Sequence, residues 1–268
     1  ITGSATAYAG ANVDGAAVSW RVVRKVRYPY WFWWWRPAPG SEAKEIAHGT
    51  TETDADGAYE ISFPAIPDRS VDKSSLPVFT YEISADVTDI NGETHSAATR
   101  VSAGYTSIEL GLAVDEMMDV DEEGAVTITA RNLGGEPVAA NGTVIIERLD
   151  PPDRILRERY IPKPDTWLLT EAEFVRDFPH DVYKDEDIPD TWPVTDRVLE
   201  RSFRCGEEGT DTLRLKDLGP GRYRITLKAK DPSGEDLELK RFFTAYEAES
   251  ALPYPAPEMF VAKETHCE

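Results

Sequence analysis

Strict alternation of apolar and polar residues is the sequence feature that most limits how this chain can fold. It runs without a break from residue 79 to residue 87, as Phe-Thr-Tyr-Glu-Ile-Ser-Ala-Asp-Val. Because successive side chains of a strand point to opposite faces, such a segment buries one face and leaves the other in water. The same pattern covers four further segments, at 18–22, 59–63, 126–130 and 223–229. Strands of this kind are typical of antiparallel sheets.

Turn-forming residues separate these segments and set the fold class. They are Asp56-Gly57, Asn91-Gly92, Gly134-Gly135, Asn141-Gly142 and Pro232-Ser233-Gly234. Many short strands with such turns between them predict an all-β sandwich or barrel. A chain of 268 residues is long enough for two domains, since domains usually contain about 100–150 residues. We therefore predict two tandem antiparallel β-sandwich domains.

The two halves of the chain share a short pattern that supports this division. A Gly-x-Tyr strand precedes a glycine-containing hairpin in each half, at Gly57-Ala58-Tyr59 and again at Gly221-Arg222-Tyr223. Weak self-similarity of this kind indicates two copies of one domain type. The predicted domains are residues 1–108 and 109–250. Residues 251–268 form a linker or the start of a further domain.

The second predicted domain contains a long insertion at residues 151–202. Thr170 and Glu173 form the sequence pattern of a capping box, so a short helix is predicted from Glu171 to Phe178. The remainder is rich in proline and is predicted to be extended loop. We expect five aromatic side chains to pack this insertion against the sandwich, namely Tyr160, Trp167, Phe174, Phe178 and Trp192.

The charge of the chain excludes some classes of partner. It contains 49 acidic and 29 basic residues, which gives a net charge of −20. A surface this negative repels phosphate groups, so nucleic acid is not an expected partner. No run of 18 apolar residues occurs, so direct membrane insertion is not expected either.

Two acidic segments resemble cation sites only in part. His180 lies near five carboxylates, at Asp181, Asp185, Glu186, Asp187 and Asp190. Carboxylate oxygens can bind a hard cation, but this spacing matches no known loop, and a solvated acidic loop is the favoured interpretation. The segment from Asp54 to Gly57 begins like a calcium loop but lacks the glutamate at position twelve. It is interpreted as a hairpin turn with a left-handed glycine.

No catalytic group is identified in the sequence. Cys205-Gly206-Glu207-Glu208 resembles an internal thioester motif, but the thioester needs a glutamine and the chain has none. Both cysteines, Cys205 and Cys267, are interpreted as free thiols, and Cys205 as a turn residue at the end of a strand. The four histidines (His48, His95, His180 and His266) lack the spacing of metal ligands. We expect a protein that is not an enzyme and that has no catalytic residues, metal or cofactor.

The most unusual segment contains seven aromatic residues within eight positions, from Tyr28 to Trp35. So many large rings cannot all face one core from one strand, and left in water they form an adhesive patch. The candidate interaction surface consists of Tyr28, Tyr30, Trp31, Trp33, Trp34 and Trp35. The favoured interpretation is docking against a neighbouring domain or the chain's own loops. The alternative is a platform that binds sugars or a protein partner.

Several segments resemble one protein family. They are residues 5–11 (Ala-Thr-Ala-Tyr-Ala-Gly-Ala), 22–24, 33–37 (Trp-Trp-Trp-Arg-Pro), 46–54, 77–81, 86–96, 178–181 and 183–187. These segments look like the large bacterial alpha-2-macroglobulin-like proteins of Bacteroidetes, and together they extend over nearly the whole chain. The resemblance implies seven-stranded macroglobulin, or immunoglobulin-like, sandwiches from the N-terminal half of such a protein. It also implies that the first domain lacks its first strand.

The function implied by this resemblance belongs to a larger parent protein. The parent would trap proteases after cleavage of a bait region, and neither bait nor thioester domain is identified here. We expect a non-catalytic structural module of a protease inhibitor in the cell envelope or secreted. Its partners would be neighbouring domains and, through the parent, target proteases. The alternative is a carbohydrate- or protein-binding sandwich module that uses the tryptophan-rich loop 28–37.

Overall fold

The computed structural model describes residues 1–8, 10–28, 43–248 and 254–255. About half of the chain is strand and about 5% is helix, so the predicted all-β class is confirmed. The strands are β1 (Thr2–Ser4), β2 (Ala17–Arg27), β3 (Lys44–Glu52), β4 (Ala58–Glu60), β5 (Val78–Thr88), β6 (Thr94–Gly104), β7 (Ile108–Ala113), β8 (Met117–Asp119), β9 (Gly124–Asn132), β10 (Ala140–Leu149), β11 (Val194–Cys205), β12 (Thr210–Leu215), β13 (Gly221–Lys230) and β14 (Asp236–Tyr246). The α-helix of the described residues is α1 (Glu171–Asp177), and short 3-10 turns lie at Lys73–Ser75 and Pro189–Thr191.

The alternation of residues 79–87 becomes strand β5, and its apolar face is buried. Phe79, Tyr81, Ile83 and Ala85 are all less than 5% exposed, while the residues between them are partly or fully exposed. Segment 59–63 is the exception among the alternating segments, because strand pairing there ends at Glu60. Ile61 is nevertheless buried in the same core cluster as β5. Alternation therefore identified which side chains are buried even where it overestimated the length of the strand.

The chain divides into two compact units, one of residues 1–109 with 131–136 and the other of residues 110–130 with 137–268. The first unit contains a four-stranded antiparallel sheet in the order β3-β2-β5-β6 and a two-stranded sheet of β1 and β4. Its core is formed by β2, β5 and the residues that follow β4, with Val18 and Val22 facing Phe79, Tyr81 and Ile83. Burying each such side chain contributes about 1.5–3 kcal/mol.

The second unit contains a five-stranded sheet in the order β11-β10-β13-β14-β8 and a three-stranded sheet in the order β12-β9-β7. The ladders β11-β10, β10-β13, β13-β14 and β12-β9 are antiparallel, and the three-residue pairing of β14 with β8 is parallel. Tyr223 and Phe243 stack in its core with ring centroids 5.1 Å apart. Residues 150–193 connect β10 to β11, so strand pairing resumes at Val194, inside the predicted insertion of 151–202.

Local signals predicted two features correctly. Helix α1 has the capping box expected from its sequence, since Thr170 accepts from the backbone N–H of Glu173 and the Glu173 side chain accepts from that of Thr170. Gly57 has a φ of +72° in the hairpin turn that begins at Asp54. A Cβ at this position would lie 2.4 Å from the Ala5 carbonyl oxygen, so a side chain is excluded by space as well as by conformation.

The predicted turn at Asn141-Gly142 is wrong, because both residues lie inside strand β10. Gly142 pairs with Phe203 of β11 on one side and with Ala229 of β13 on the other. An added Cβ would lie 2.2 Å from the Lys228 carbonyl oxygen and 2.8 Å from the Phe203 ring. The glycine therefore permits a close approach of neighbouring groups in the middle of the sheet, rather than a reversal of the chain.

Replacing this glycine tests the close packing. We expect Gly142→Ala to lower the free energy of unfolding by about 2 kcal/mol, because the new methyl group overlaps backbone that cannot move freely. Urea denaturation measures the change. Gly219→Ala is the matched control, since no atom lies within 4 Å of a Cβ built there. Equal stability of the two variants would contradict the packing described for β10.

Candidate interaction site on the insertion of the second unit

The insertion between β10 and β11 has its own small core of aromatic side chains. Tyr183 is buried at its centre, with Trp167 4.7 Å and Phe174 5.3 Å away between ring centroids. Phe178 packs against Phe174 at 5.2 Å. Helix α1 supplies Phe174, which lies one helical turn before Phe178, so both rings reach the same side. The irregular segment is therefore held together by packing as well as by its prolines.

The ring contacts of three of the five predicted aromatic anchors, Trp167, Phe174 and Phe178, are made within the insertion itself. Trp167, Phe174 and Trp192 are partly buried, whereas Phe178 is 45% exposed and Tyr160 is 91% exposed. The indole N–H of Trp192 donates to the Glu186 carbonyl at 2.7 Å, which explains why its ring is held in place. Tyr160 instead projects into solvent. The expectation was wrong for Tyr160 because it was based on residue type alone.

The acidic loop of the insertion is exposed at Asp185, Asp187 and Asp190, as a solvated loop would be, and it is also ion-paired. Its five carboxylates each contact a lysine or an arginine. Asp181 pairs with Arg157, Glu186 with Arg154, Asp185 and Asp187 with Lys163, and Asp190 with Arg224 and Lys240. His180 contacts the Ile155 carbonyl at 3.0 Å. Within the described ranges, no three histidine, cysteine or acidic side chains are grouped closely enough to hold a metal ion.

Arg154 is the central cation of this loop. Its guanidinium donates to the carbonyl oxygens of Pro179 at 2.7 Å and Asp181 at 3.0 Å, and it also pairs with Glu186. Both side chains of the ion pair are less than 20% exposed. Charged hydrogen bonds of this kind are stronger than those between neutral groups. Arg154 thus connects the start of the insertion to the segment that follows α1.

Lys163 connects a more exposed part of the insertion to the acidic loop by ion pairs with Asp185 and Asp187. Burial acts to lower the pKa of Lys163, but hydrogen bonds to Asp185 and Asp187 together hold that pKa above its ordinary value. The ammonium group lies 3.0 Å from Asp185 and 3.1 Å from Asp187. It therefore remains charged over the physiological pH range and balances two carboxylates.

A second group of ion pairs fixes the insertion to the outer face of the five-stranded sheet. Asp190 contacts Arg224 of β13 at 3.1 Å and Lys240 of β14 at 2.9 Å. Arg224 also contacts Glu147 of β10 at 2.8 Å, and both of these side chains are at most 15% exposed. A buried charge without a partner is costly, so Glu147 and Arg224 depend on one another. The outer face of the sheet is consequently a charged docking surface for the insertion.

The exposed side of the insertion carries an apolar groove with a cavity volume of about 390 Å³. Phe174, Phe178 and Val182 line it together with Tyr160 and Ile161. Tyr160 and Ile161 are mostly exposed. The backbone of Arg157 is fixed beside it, because its N–H donates to the His180 carbonyl at 2.9 Å. Exposed apolar side chains beside a fixed backbone are typical of a binding surface.

The rim of the groove carries both charges, from Arg157 and Arg159 and from Glu158 and Asp181. Arg157 pairs with Asp181, and the Arg159 guanidinium stacks on Trp167 at 5.6 Å while donating to the Val182 carbonyl at 3.1 Å. Arginine and aromatic side chains are enriched at protein interfaces. The arrangement is suited to binding an apolar segment of another protein. We call the surface formed by Tyr160, Ile161, Phe174, Phe178 and Val182 the insertion groove.

The structure describes one of the six residues of the predicted interaction surface. Tyr28 is 5% exposed, and its burial, followed by the nearby charge of Asp68, raises the pKa of its hydroxyl. It is buried in the first unit, which agrees with packing against the chain's own residues, one of the two interpretations given above. The other five, Tyr30, Trp31, Trp33, Trp34 and Trp35, lie outside the described residues. The sequence analysis did not identify the insertion groove, although exposed apolar residues in a proline-rich segment were a usable signal.

Cys205 lies at the end of strand β11, as predicted, and its thiol is buried. Burial, followed by the nearby charge of Asp211, raises its pKa above the ordinary value. The sulfur contacts the Ile128 carbonyl at 3.8 Å. Since the thiolate is the nucleophilic form, these surroundings make Cys205 a structural residue rather than a reactive one. Cys267 and His266 lie outside the described residues.

Several solved structures match this chain at low sequence identity. No protein-family model matches it, and no curated protein matches it. Among solved structures, the native conformation of E. coli alpha-2-macroglobulin matches 96% of this chain at 12% identity, with a TM-score of 0.38. Trypsin-activated E. coli alpha-2-macroglobulin matches 92% at 10% identity and a TM-score of 0.39. Salmonella alpha-2-macroglobulin reacted with methylamine matches 88% at 14% identity and a TM-score of 0.37.

The chain spans 15–16% of the length of these three structures. For this chain, the activity of a protein of that full length is a proposal.

Within the part of the chain that the structure describes, no helix combines the length and apolar character needed to cross a bilayer.

The ion pair between Glu147 and Arg224 beneath the insertion can be tested by removing one of its two charges. We expect Glu147→Gln to lower the free energy of unfolding by about 1–3 kcal/mol, because it removes the charge that balances a largely buried arginine. Glu238→Gln is the matched control, since Glu238 pairs with Lys228 and Lys240 while about half exposed, and such pairs are worth about 0–1 kcal/mol. Urea denaturation separates the two. A Glu147 variant as stable as the control would show that the ion pair between Glu147 and Arg224 does not contribute to the stability of the fold.

Proposed function

We propose that this chain is a non-catalytic structural module of a larger alpha-2-macroglobulin-like protease inhibitor, and that it acts through contacts with other domains of that protein. The segments quoted above, which resemble the bacterial members of that family, support the proposal. The all-β fold with two sheets in each unit agrees with it. Target proteases would be partners of the parent, which we place in the cell envelope or outside the cell.

The single observation that carries a role in protein contacts is the insertion groove. A long insertion inside a compact domain usually either packs or functions, and this one packs. It is fixed to the sheet by Asp190, while Tyr160 and Ile161 are left exposed. An apolar surface on a fixed backbone loses less conformational entropy on binding than a flexible loop does. The groove therefore suits a neighbouring domain as its partner.

The proposal of a non-catalytic role is supported by the surroundings of the reactive residue types. Cys205 is buried with a raised pKa. His48 and His95 lie in exposed pairs with Glu45 and Glu93. An exposed histidine paired with an exposed carboxylate, with no nucleophile in contact among its described partners, is not the arrangement of a catalytic triad.

The alternative function, a carbohydrate- or protein-binding module, relies on the aromatic run at 28–37. Seven aromatic residues in eight positions are the observation that favours it. Tyr28 does not contribute an exposed ring. The alternative therefore depends on Tyr30, Trp31, Trp33, Trp34 and Trp35, and it stays a prediction. Replacing Trp33, Trp34 and Trp35 with serine and comparing glycan binding with that of the unchanged chain would decide it.

The proposed function is tested in the complete protein encoded by the gene that contains this chain. We expect the complete protein to block a protease acting on a large substrate such as casein, while a small peptide substrate is still cleaved. The isolated chain should block neither reaction. The double variant Tyr160→Ser/Ile161→Ser should lower the Tm of the complete protein but leave that of the isolated chain unchanged. The reason is that the groove would be covered only in the complete protein.

Leu168→Ser is the matched control for the groove variant. Leu168 is 92% exposed and apolar, but it does not line the groove. A complete protein that responds equally to both changes would contradict the role of the groove. Hydrolysis of any substrate by the isolated chain, lost on replacing a single side chain, would contradict the non-catalytic role.

A further inference from the structure

Strand β6 forms one edge of the four-stranded sheet in the first unit. It pairs with β5 over all eleven residues in one unbroken register, from Val78 opposite Gly104 to Thr88 opposite Thr94. Among the described residues, no strand lies on its other side. Its first eight residues are exposed on both faces. The edge is therefore long, straight and accessible.

The hairpin turn fixes which backbone groups of β6 face outward. The N–H of Asp89 donates to the Glu93 carbonyl at 2.9 Å, so this pair is hydrogen-bonded within the ladder. Hydrogen-bonded pairs recur at every second residue of an antiparallel ladder. The odd-numbered residues of β6 therefore bond to β5. The even-numbered residues, from Thr94 through Ala98 to Ser102, direct their N–H and C=O groups toward the open edge.

The other two long edge strands carry features that hinder pairing, and β6 does not. Strand β3 faces a register shift between Val22 and Val23 and carries charged side chains. Strand β11 has two register shifts and five charged side chains, at Asp196, Arg197, Glu200, Arg201 and Arg204. Irregular and charged edges prevent the addition of another strand. Strand β6 has no register shift, no proline and no carboxylate, and its single arginine, Arg100, is engaged by Glu82 at 2.8 Å.

The apolar face of the sheet also continues onto β6 without being covered. Ala97, Thr99 and Val101 are exposed, although their partners on β5 (Ala85, Ile83 and Tyr81) are buried. A strand added at this edge would place side chains beside them and extend the covered face. The edge therefore offers both unused backbone groups and apolar area to an added strand.

We propose that β6 pairs antiparallel with β6 of a second copy of this chain, forming a continuous eight-stranded sheet across a two-fold axis. The strand is complementary to itself. With Ala98 opposite Ala98, Arg100 faces Ser96 and His95 faces Val101, so no like charges meet. In a chain of net charge −20, this carboxylate-free strip is where two copies can approach with least repulsion. The edge shares no residue with the insertion groove, so the proposal is independent of the proposed function.

Sedimentation velocity of the chain at increasing concentration tests the proposal. We expect a monomer at about 5 µM and a growing dimer fraction toward about 500 µM, as for a small interface. Added salt should strengthen the dimer, because it screens the repulsion between two negative copies. Ala98→Pro should weaken dimerisation about tenfold or more, since it removes an outward N–H from each copy. It leaves every hydrogen bond between β5 and β6 intact.

Ala98→Thr is the matched control, because it keeps the N–H and should leave the dimer unchanged. The double variant Ser96→Lys/Ala98→Lys gives a second way to block the edge by charge, and thermal unfolding confirms that each variant is folded. A chain that stays monomeric at every concentration and salt level would overturn the proposal. The edge strand β6 would then be free to pair with a strand of a different polypeptide. A dimer that survives both blocking variants would also overturn it, by placing the contact elsewhere.

Discussion

Successive side chains of a strand point to opposite faces, and the second unit depends on how its five-stranded sheet uses the face turned away from the core. Tyr223 and Ile225 of β13 fill the core, which forces Arg224 onto the outer face. There Arg224 meets Glu147 in surroundings that exclude most of the water. Largely buried charges need partners, and Asp190 of the insertion supplies one more. The alternation that forms the core thus also creates the surface on which the insertion docks.

The insertion itself is stabilised by matching charges in the same way. Isolated exposed ion pairs contribute little, but the pairs made by Arg154 and Lys163 converge on one loop, which also carries the buried Tyr183. Tyr160 and Ile161 are exposed beside the groove. The rim of the groove carries two arginines and two acidic residues, Arg157, Arg159, Glu158 and Asp181. This exposed apolar surface in a strongly acidic chain is why protein contacts are the function that we propose.

The sequence predicted the structural features that are set by residues close together in the chain. It missed the contacts between residues that are far apart in the chain. Alternation identified the buried side chains of β5, and the capping box identified α1, because both signals are complete within a few residues. The prediction of a turn at Asn141-Gly142 was wrong. Gly142 is needed because a side chain would clash with the Lys228 carbonyl, and the sequence alone does not distinguish this reason for a glycine from a turn. The ion pairs of the acidic loop were not predicted, because their cations lie 22–50 residues away in the chain. The predicted aromatic surface lies outside the described residues except for Tyr28, whose burial no local pattern indicated.

Hydrogen exchange across residues 150–193 tests most directly whether the insertion is a fixed surface rather than a loose loop. We expect exchange at Arg157, Phe178 and Ile188, whose N–H groups are hydrogen-bonded within the insertion, to be at least about tenfold slower than in an unstructured peptide. We also expect Asp190→Asn to accelerate exchange near Ile188 while the amide of Phe178 stays protected, because the aromatic core is separate from the contact with the sheet. Exchange at the rate of an unstructured peptide throughout the insertion would show that it is a loose loop.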